Sequence, residues 1–219
     1  MDFLTADRLK GTYSTEASFY NFKTAEQTFA CRDFVHIYEN DNRQIDRFDA
    51  IFTLANPGLC SPAETTYDIP HVVEKREYQR KYIPAKTDNT QYQIMRLMHV
   101  RKWCNVLVIN LSDIRCGNLK DFRIKLKEAE KAGFTSHSIF ATQRKQELTH
   151  VLDQCAGPVI AAWGTNPVVK ELAEKAIHAL PAERVTGVLY EKRPFYYHAS
   201  PQPKGKKLEW LRSMARELA

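Results

Sequence analysis

The sequence has no CxxC pair; its five cysteines, Cys31, Cys60, Cys104, Cys116 and Cys155, are odd in number and scattered. That pattern excludes a zinc knuckle and gives no disulfide framework, so buried or incidental thiols in a reducing, cytoplasmic setting are expected. GxxxxGK[ST], GxSxG and HExxH are all missing, which removes the signatures of P-loop, nucleophile-elbow and zincin chemistry. His71, His99, His137, His150 and His178 lack ligand spacing and read as structural or surface residues. No metal and no cofactor is expected. No apolar run is long enough to span a bilayer, and residues 1–13 lack the basic-then-apolar pattern of a secretory signal, so no membrane partner is expected. Repeats, low-complexity tracts and Gly/Ser linkers are absent too, which leaves one domain over residues 1–219.

What is present is ordinary for a globular chain: 219 residues, 43% hydrophobic and 26% charged, enough to bury a core without staples. The formal charge of +6 favours polyanions through counterion release and steering, although scattered Lys and Arg are equally a solvated surface.

Strands and helices alternate from residue 48 onward, the pattern of a mostly parallel sheet covered on both faces. Four apolar runs read as strands: residues 48–55, ending at Asn-Pro-Gly; 106–110, nearly all β-branched or Leu; 158–163, closed by Gly164; and 184–190, nearer an edge. Between them, helices are predicted over about 90–103, 119–132, 141–155 and 166–180, with a last one over about 206–218. The expected architecture is a three-layer α/β/α sandwich around a sheet of about four strands. Residues 1–47 form an N-terminal extension in which 34–39 alternates like a strand and would add an antiparallel edge. The polar stretch 61–89 is the one long segment without an apolar period, and loops of that length usually have a job.

In an open parallel sheet, ligands sit beyond the carboxyl ends of the strands, where loops and helix N-termini converge. Each predicted strand here ends in polar or turn-forming residues: Asn56-Pro57-Gly58; Asn110 with Ser112 and Asp113; Trp163-Gly164-Thr165-Asn166; and, after the fourth, His198-Ala199-Ser200-Pro201.

That order, Leu-Ala-Asn-Pro-Gly-Leu, Val-Leu-Val-Ile-Asn-Leu, Val-Ile-Ala-Ala-Trp-Gly and His-Ala-Ser-Pro, resembles the motif run of the uracil-DNA glycosylase superfamily, with Asn56 to Leu59 most similar to its mismatch-specific branch. The pattern from Asn56 through Asp88-Asn89-Thr90, Asn110-Leu111, Trp163-Gly164 and the Pro-rich loop also resembles a bacterial family catalogued as domain of unknown function 1643, over most of the chain after about Phe48. The first resemblance implies a glycosylase-like fold and base excision, which needs a flipped nucleotide, a pocket reading its edge, a polarised water and stabilisation of the departing base. In those roles Asn56 would hold the water, Asn110 would read the base through its amide, and His198 would stabilise the leaving base. Pro57, Gly58, Ser112, Asp113 and Ser200 would line the substrate, with Ser200, Lys204, Lys206 and Lys207 on phosphates.

The chain departs from the family-one glycosylases in two places. Their first-motif Asp is absent, and Ala199 follows His198 where they have Pro. An amide cannot take a proton as a carboxylate does, so the general base is open among Glu64, Asp68, Asp88 and Asp113. The same residues also have plainer uses: Asn56-Pro57-Gly58 as a tight turn, Asn110 as a turn cap, Trp163-Gly164 as packing, and the lysines as a solvated helix start. Beside N-glycosidic hydrolysis on nucleic acid or a nucleotide stand a non-catalytic module binding the same ligands and a small-molecule hydrolase using the same crevice.

Overall fold

The computed structural model describes residues 3–219; Met1 and Asp2, the start of the segment compared above with a secretory signal, lie outside the described residues. A short helix, α1 (Ala6–Thr12), leads into eight strands in one mixed sheet: β1 (Tyr13–Lys23), β2 (Thr28–Glu39), β3 (Ala50–Leu54), β4 (His71–Val72), β5 (Ile83–Pro84), β6 (Asn105–Asn110), β7 (Val159–Ala161) and β8 (Val185–Thr186). Five further helices complete the fold: α2 (Asn89–Arg101), α3 (Leu119–Lys131), α4 (Lys145–Asp153), α5 (Lys170–Ala179) and α6 (Lys204–Glu217). Among the described residues, no helix is long and apolar enough to cross a membrane.

The sheet runs β4-β1-β2-β6-β3-β7-β8, with β5 beside β1. The four strands expected from the apolar runs form its parallel half, β6-β3-β7-β8. The count of about four is corrected to eight, because the segment before residue 48 supplies the two longest strands as an antiparallel hairpin and the polar stretch 61–89 supplies two short ones, β4 and β5, beside β1. Residues 34–39 belong to β2, which is antiparallel as expected but is no edge: β1 bonds one side and β6 the other. The hairpin is hard to read because β1 mixes Ser, Thr, Glu and Asn with its apolar residues and β2 carries Arg32, Asp33 and His36 inside the sheet.

Side chains alternate between two cores. Leu107 and Ile109 of β6 join Phe122 and Ala129 of α3, Leu148 and Val151 of α4 and Ala173 and Ala176 of α5. Val106 and Val108 face the other way, onto Leu9 of α1, Ile94, Leu97 and Met98 of α2 and Trp210, Leu211 and Met214 of α6. Each fully buried aliphatic or aromatic side chain contributes about 1.5–3 kcal/mol, so these two faces dominate local propensity.

The alternation breaks once, to consequence. Ala17 of β1 pairs with Val35 and Phe19 with Arg32, so Ser18 faces both Asp33 and Phe34. This β-bulge adds one residue to β2 and reverses which side its neighbours face. Phe29, Cys31 and Phe34 all lie in the first core, while Arg32 is turned to the side of Val35 and Ile37.

Local signals set the helix starts. Asp88 caps α2 by accepting from the Thr90 and Gln91 amides, and the Gln91 side chain reciprocates on the Asp88 amide, a full capping box. Asn118 caps α3 through the Asp121 amide. The helix expected over 141–155 is shorter, Lys145–Asp153, preceded by one tight turn, Thr142–Arg144.

Candidate functional site

Beyond the carboxyl ends of β3 and β7 opens a cleft of about 700 Å³. One wall is residues 54–58 as β3 runs out; another is residues 163–167 after β7. The starts of α2 (Asp88, Thr90, Gln91) and α3 (Cys116, Gly117, Asn118, Leu119) close the mouth, and Arg32, Val108 and His198 complete the lining. Gly58 and Gly164 both hold positive φ, 62° and 93°, where a side chain would be strained, so the two walls turn on glycines.

Several candidate residues meet here. Asn56, half-buried, donates its side-chain N–H to the Cys116 carbonyl at 2.8 Å, which leaves Oδ1 as an acceptor and ties the β3 turn to the α3 entry. Pro57 and Gly58 follow it along the wall. His198 accepts from the Ser200 amide at Nδ1, 3.1 Å, so the neutral ring carries its proton on Nε2. Burial, chiefly, lowers its pKa, against a smaller opposing effect of Asp88. Of the four carboxylates left open as a base, Asp88 alone lines the cleft. Its Oδ1 is committed to the α2 cap and Oδ2 makes no hydrogen bond among the described residues. Glu64 and Asp68 are exposed on the long loop.

Other candidates lie elsewhere. Asn110 is fully buried behind the lining, its amide bonded to the Asp33 carbonyl at 3.4 Å and to Arg32 Nη2 at 3.5 Å. Ser112 accepts the Ile114 amide in a buried turn. Asp113 belongs to the far core, where Oδ2 accepts from Tyr20 Oη at 2.7 Å and from Arg144 Nη1 at 2.6 Å. Burial pushes its carboxyl up to about 6, and the Arg144 charge restrains that rise. Ser200 acts through its amide on His198. Lys204, Lys206 and Lys207 stand on the first turns of α6 outside the lining; Lys206 pairs with Glu209 at 3.1 Å, and Lys204 lies 5.3 Å over the Phe3 ring. Trp163 contributes its edge to the lining, but its bulk is core: it is 2% exposed, donates to the Pro194 carbonyl and meets Tyr196 edge-on.

One lining residue carried no sequence signal. Arg32 is 2% exposed, yet the only hydrogen bond of its guanidinium among the described residues is the long one to Asn110, and Nε has no partner. A strand arginine before an aspartate reads as a surface ion pair, and the bulge decides which of the two covered faces it joins. A second, wider groove of about 1750 Å³ lies between α3 and α5 and shares Leu119, Asn166 and Pro167 with the cleft. Its walls carry Lys120, Arg123, Lys127, Lys170 and Lys175 against Glu130, Glu171 and Glu174.

No protein-family model, curated protein or solved structure matches this chain.

Proposed function

We propose that the chain is a nucleotide- or nucleic-acid-directed protein of glycosylase-like α/β/α arrangement, whose cleft beyond β3 and β7 takes a nucleobase and hydrolyses its N-glycosidic bond. The observation that carries this reading is the meeting in one cleft of Asn56, Asp88 and His198, drawn from three distant parts of the chain. Asp88 supplies the carboxylate that the Asn56 turn lacks: its free Oδ2 is the acceptor for an attacking water and its proton. Asn56 Oδ1 accepts from that water or from the base edge. His198, held neutral by burial, offers Nε2–H to the departing base as negative charge develops on it. Asn110 is assigned no base-reading role, because both ends of its amide are engaged behind the lining. The cationic groove that joins the cleft offers a track for the flanking strand of a nucleic acid.

The test is release of free base from single- and double-stranded oligonucleotides and nucleotides carrying uracil, hypoxanthine and alkylated bases. Release that falls by about 100-fold or more in His198→Ala, with binding retained, is the expected result. Salt-sensitive binding without release would reduce the site to a base-binding module. Neither binding nor release would remove nucleobases as the ligand class.

A further inference from the structure

The cleft floor carries positive charge that the protein does not neutralise. Arg32 is almost wholly buried and makes no ion pair among the described residues, although Asp33 follows it in sequence and the Arg32 amide bonds the Asp113 carbonyl. Those acids are already taken: Asp33 by Lys75 and Arg80, each at 2.9 Å, and Asp113 by Arg144. Arg115, half-buried and outside the lining, lies close enough for its charge to oppose that of Arg32 and also makes no ion pair among the described residues. Its Nε is buried without a partner, and its guanidinium lies 5.6 Å from the Phe19 ring, the residue paired with Arg32 across β1 and β2. Burial, chiefly, and the like charge of Arg32 lower the Arg115 pKa.

The Arg32 guanidinium is a costly arrangement, because a buried ion costs several kcal/mol unless it is paired, and the like charge of Arg115 adds to that cost. Of the other buried cations among the described residues, Lys75 and Arg144 each have a carboxylate, and Arg96, which has none, donates to the Leu4 carbonyl at 2.8 Å and to the Gln93 side chain at 3.2 Å. Arg32 differs in lining an open cleft, on which the capped N-terminal turns of α2 and α3 also open. The one carboxylate in the lining, Asp88, is committed at Oδ1 to capping α2 and makes no ion pair with Arg32.

We propose that Arg32, backed by Arg115, is an oxyanion subsite, and that the ligand of the cleft carries a phosphate or carboxylate that docks on the Arg32 fork. The inference rests on the reading of the cleft as a ligand site and not on the ligand's carrying a base. A guanidinium presents parallel N–H donors that match two oxygens of such a group, and the β2 bulge is the backbone device that aims it.

The test compares wild type with Arg32→Gln, Arg32→Lys and Arg115→Gln, at constant ionic strength set with chloride. Thermal unfolding is read with inorganic phosphate and with acetate, and calorimetry with deoxyuridine and deoxyuridine 5′-monophosphate. Phosphate or acetate should raise the wild-type Tm by a few degrees, and whichever does so more names the oxyanion. The gain should vanish in Arg32→Gln and shrink in the other two, while the ligand-free Arg32→Gln protein melts no lower than wild type because an unpaired buried charge has gone. In wild type the phosphorylated nucleoside should bind about tenfold or more tightly than the nucleoside, and the difference should be lost in Arg32→Gln. Equal oxyanion stabilisation in wild type and Arg32→Gln, or none in wild type, overturns the proposal. If Arg32→Gln does not fold, Arg32→Lys decides, since it keeps the charge and loses the fork. Nucleoside binding indifferent to the phosphate overturns this subsite and leaves the base reading standing; phosphate binding with no contribution from the base does the reverse.

Discussion

At the scale of single residues, the sequence shows which polar side chains sit at strand ends but not which of them the packing consumes. Asn56 and His198 reach the cleft as their positions after β3 and before α6 imply. Asp113 has equally suggestive spacing after Asn110, yet its neighbours in space are Tyr20 and Arg144, 93 and 31 residues away. Asp33 shows how strongly this network is tied. Burial alone would raise its carboxyl, but Arg80, Lys75 and Arg144 outweigh that and hold it well below the ordinary carboxylate range. A depressed folded pKa gives stability that is present above the unfolded value of 3.8 and is lost as pH falls below it toward the folded value. Asp33→Asn should therefore cost about 3 kcal/mol at pH 7 by stranding Lys75, whereas Arg80 keeps Glu147. It should also weaken the dependence of stability on pH below about 4, checked by denaturant unfolding at pH 7 and pH 3. An unchanged midpoint at pH 7 would mean the network contributes nothing net.

At the scale of elements, continuous apolar runs were legible and mixed ones were not. β3 and β6 are buried on both faces and read directly as Ala-Ile-Phe-Thr-Leu and Asn-Val-Leu-Val-Ile-Asn. The expected fourth strand shrinks to Val185–Thr186, paired with β7; beyond it Gly187 runs so close to its neighbours that a Cβ would meet the Ala161 carbonyl and, at 2.8 Å, the Tyr196 ring. β1 and β2 hide because the bulge puts the period of two out of phase halfway along β2, so no single alternation runs through it. A related close approach precedes β7. A Cβ on Gly157 would fall onto the Asp49 backbone carbonyl, next to the β3 start, with no flexible side chain to yield. Gly157→Ala should cost about 3 kcal/mol by pushing β7 off β3, measured as a drop in the unfolding midpoint. A neutral result would show that the two strands shift freely there.

At the scale of the molecule, alternation of apolar runs with amphipathic segments was enough for an α/β fold and its four parallel strands, but not for their order, β6-β3-β7-β8, nor for the antiparallel half. The two helical cores follow from strict side-chain alternation in β6. The cleft is less legible, since it depends on Arg32, a residue placed by the hairpin rather than by the α/β half. What joins fold to function is the claim that a nucleotide unit occupies the space between the ends of β3 and β7 and the starts of α2 and α3. A crystal structure with deoxyuridine 5′-monophosphate bound tests it most directly. The account predicts the nucleotide in this cleft, with its base against Asn56, Asp88 and His198 and its phosphate within hydrogen-bond distance of Arg32. A nucleotide bound elsewhere on the chain, with the cleft empty, would contradict it.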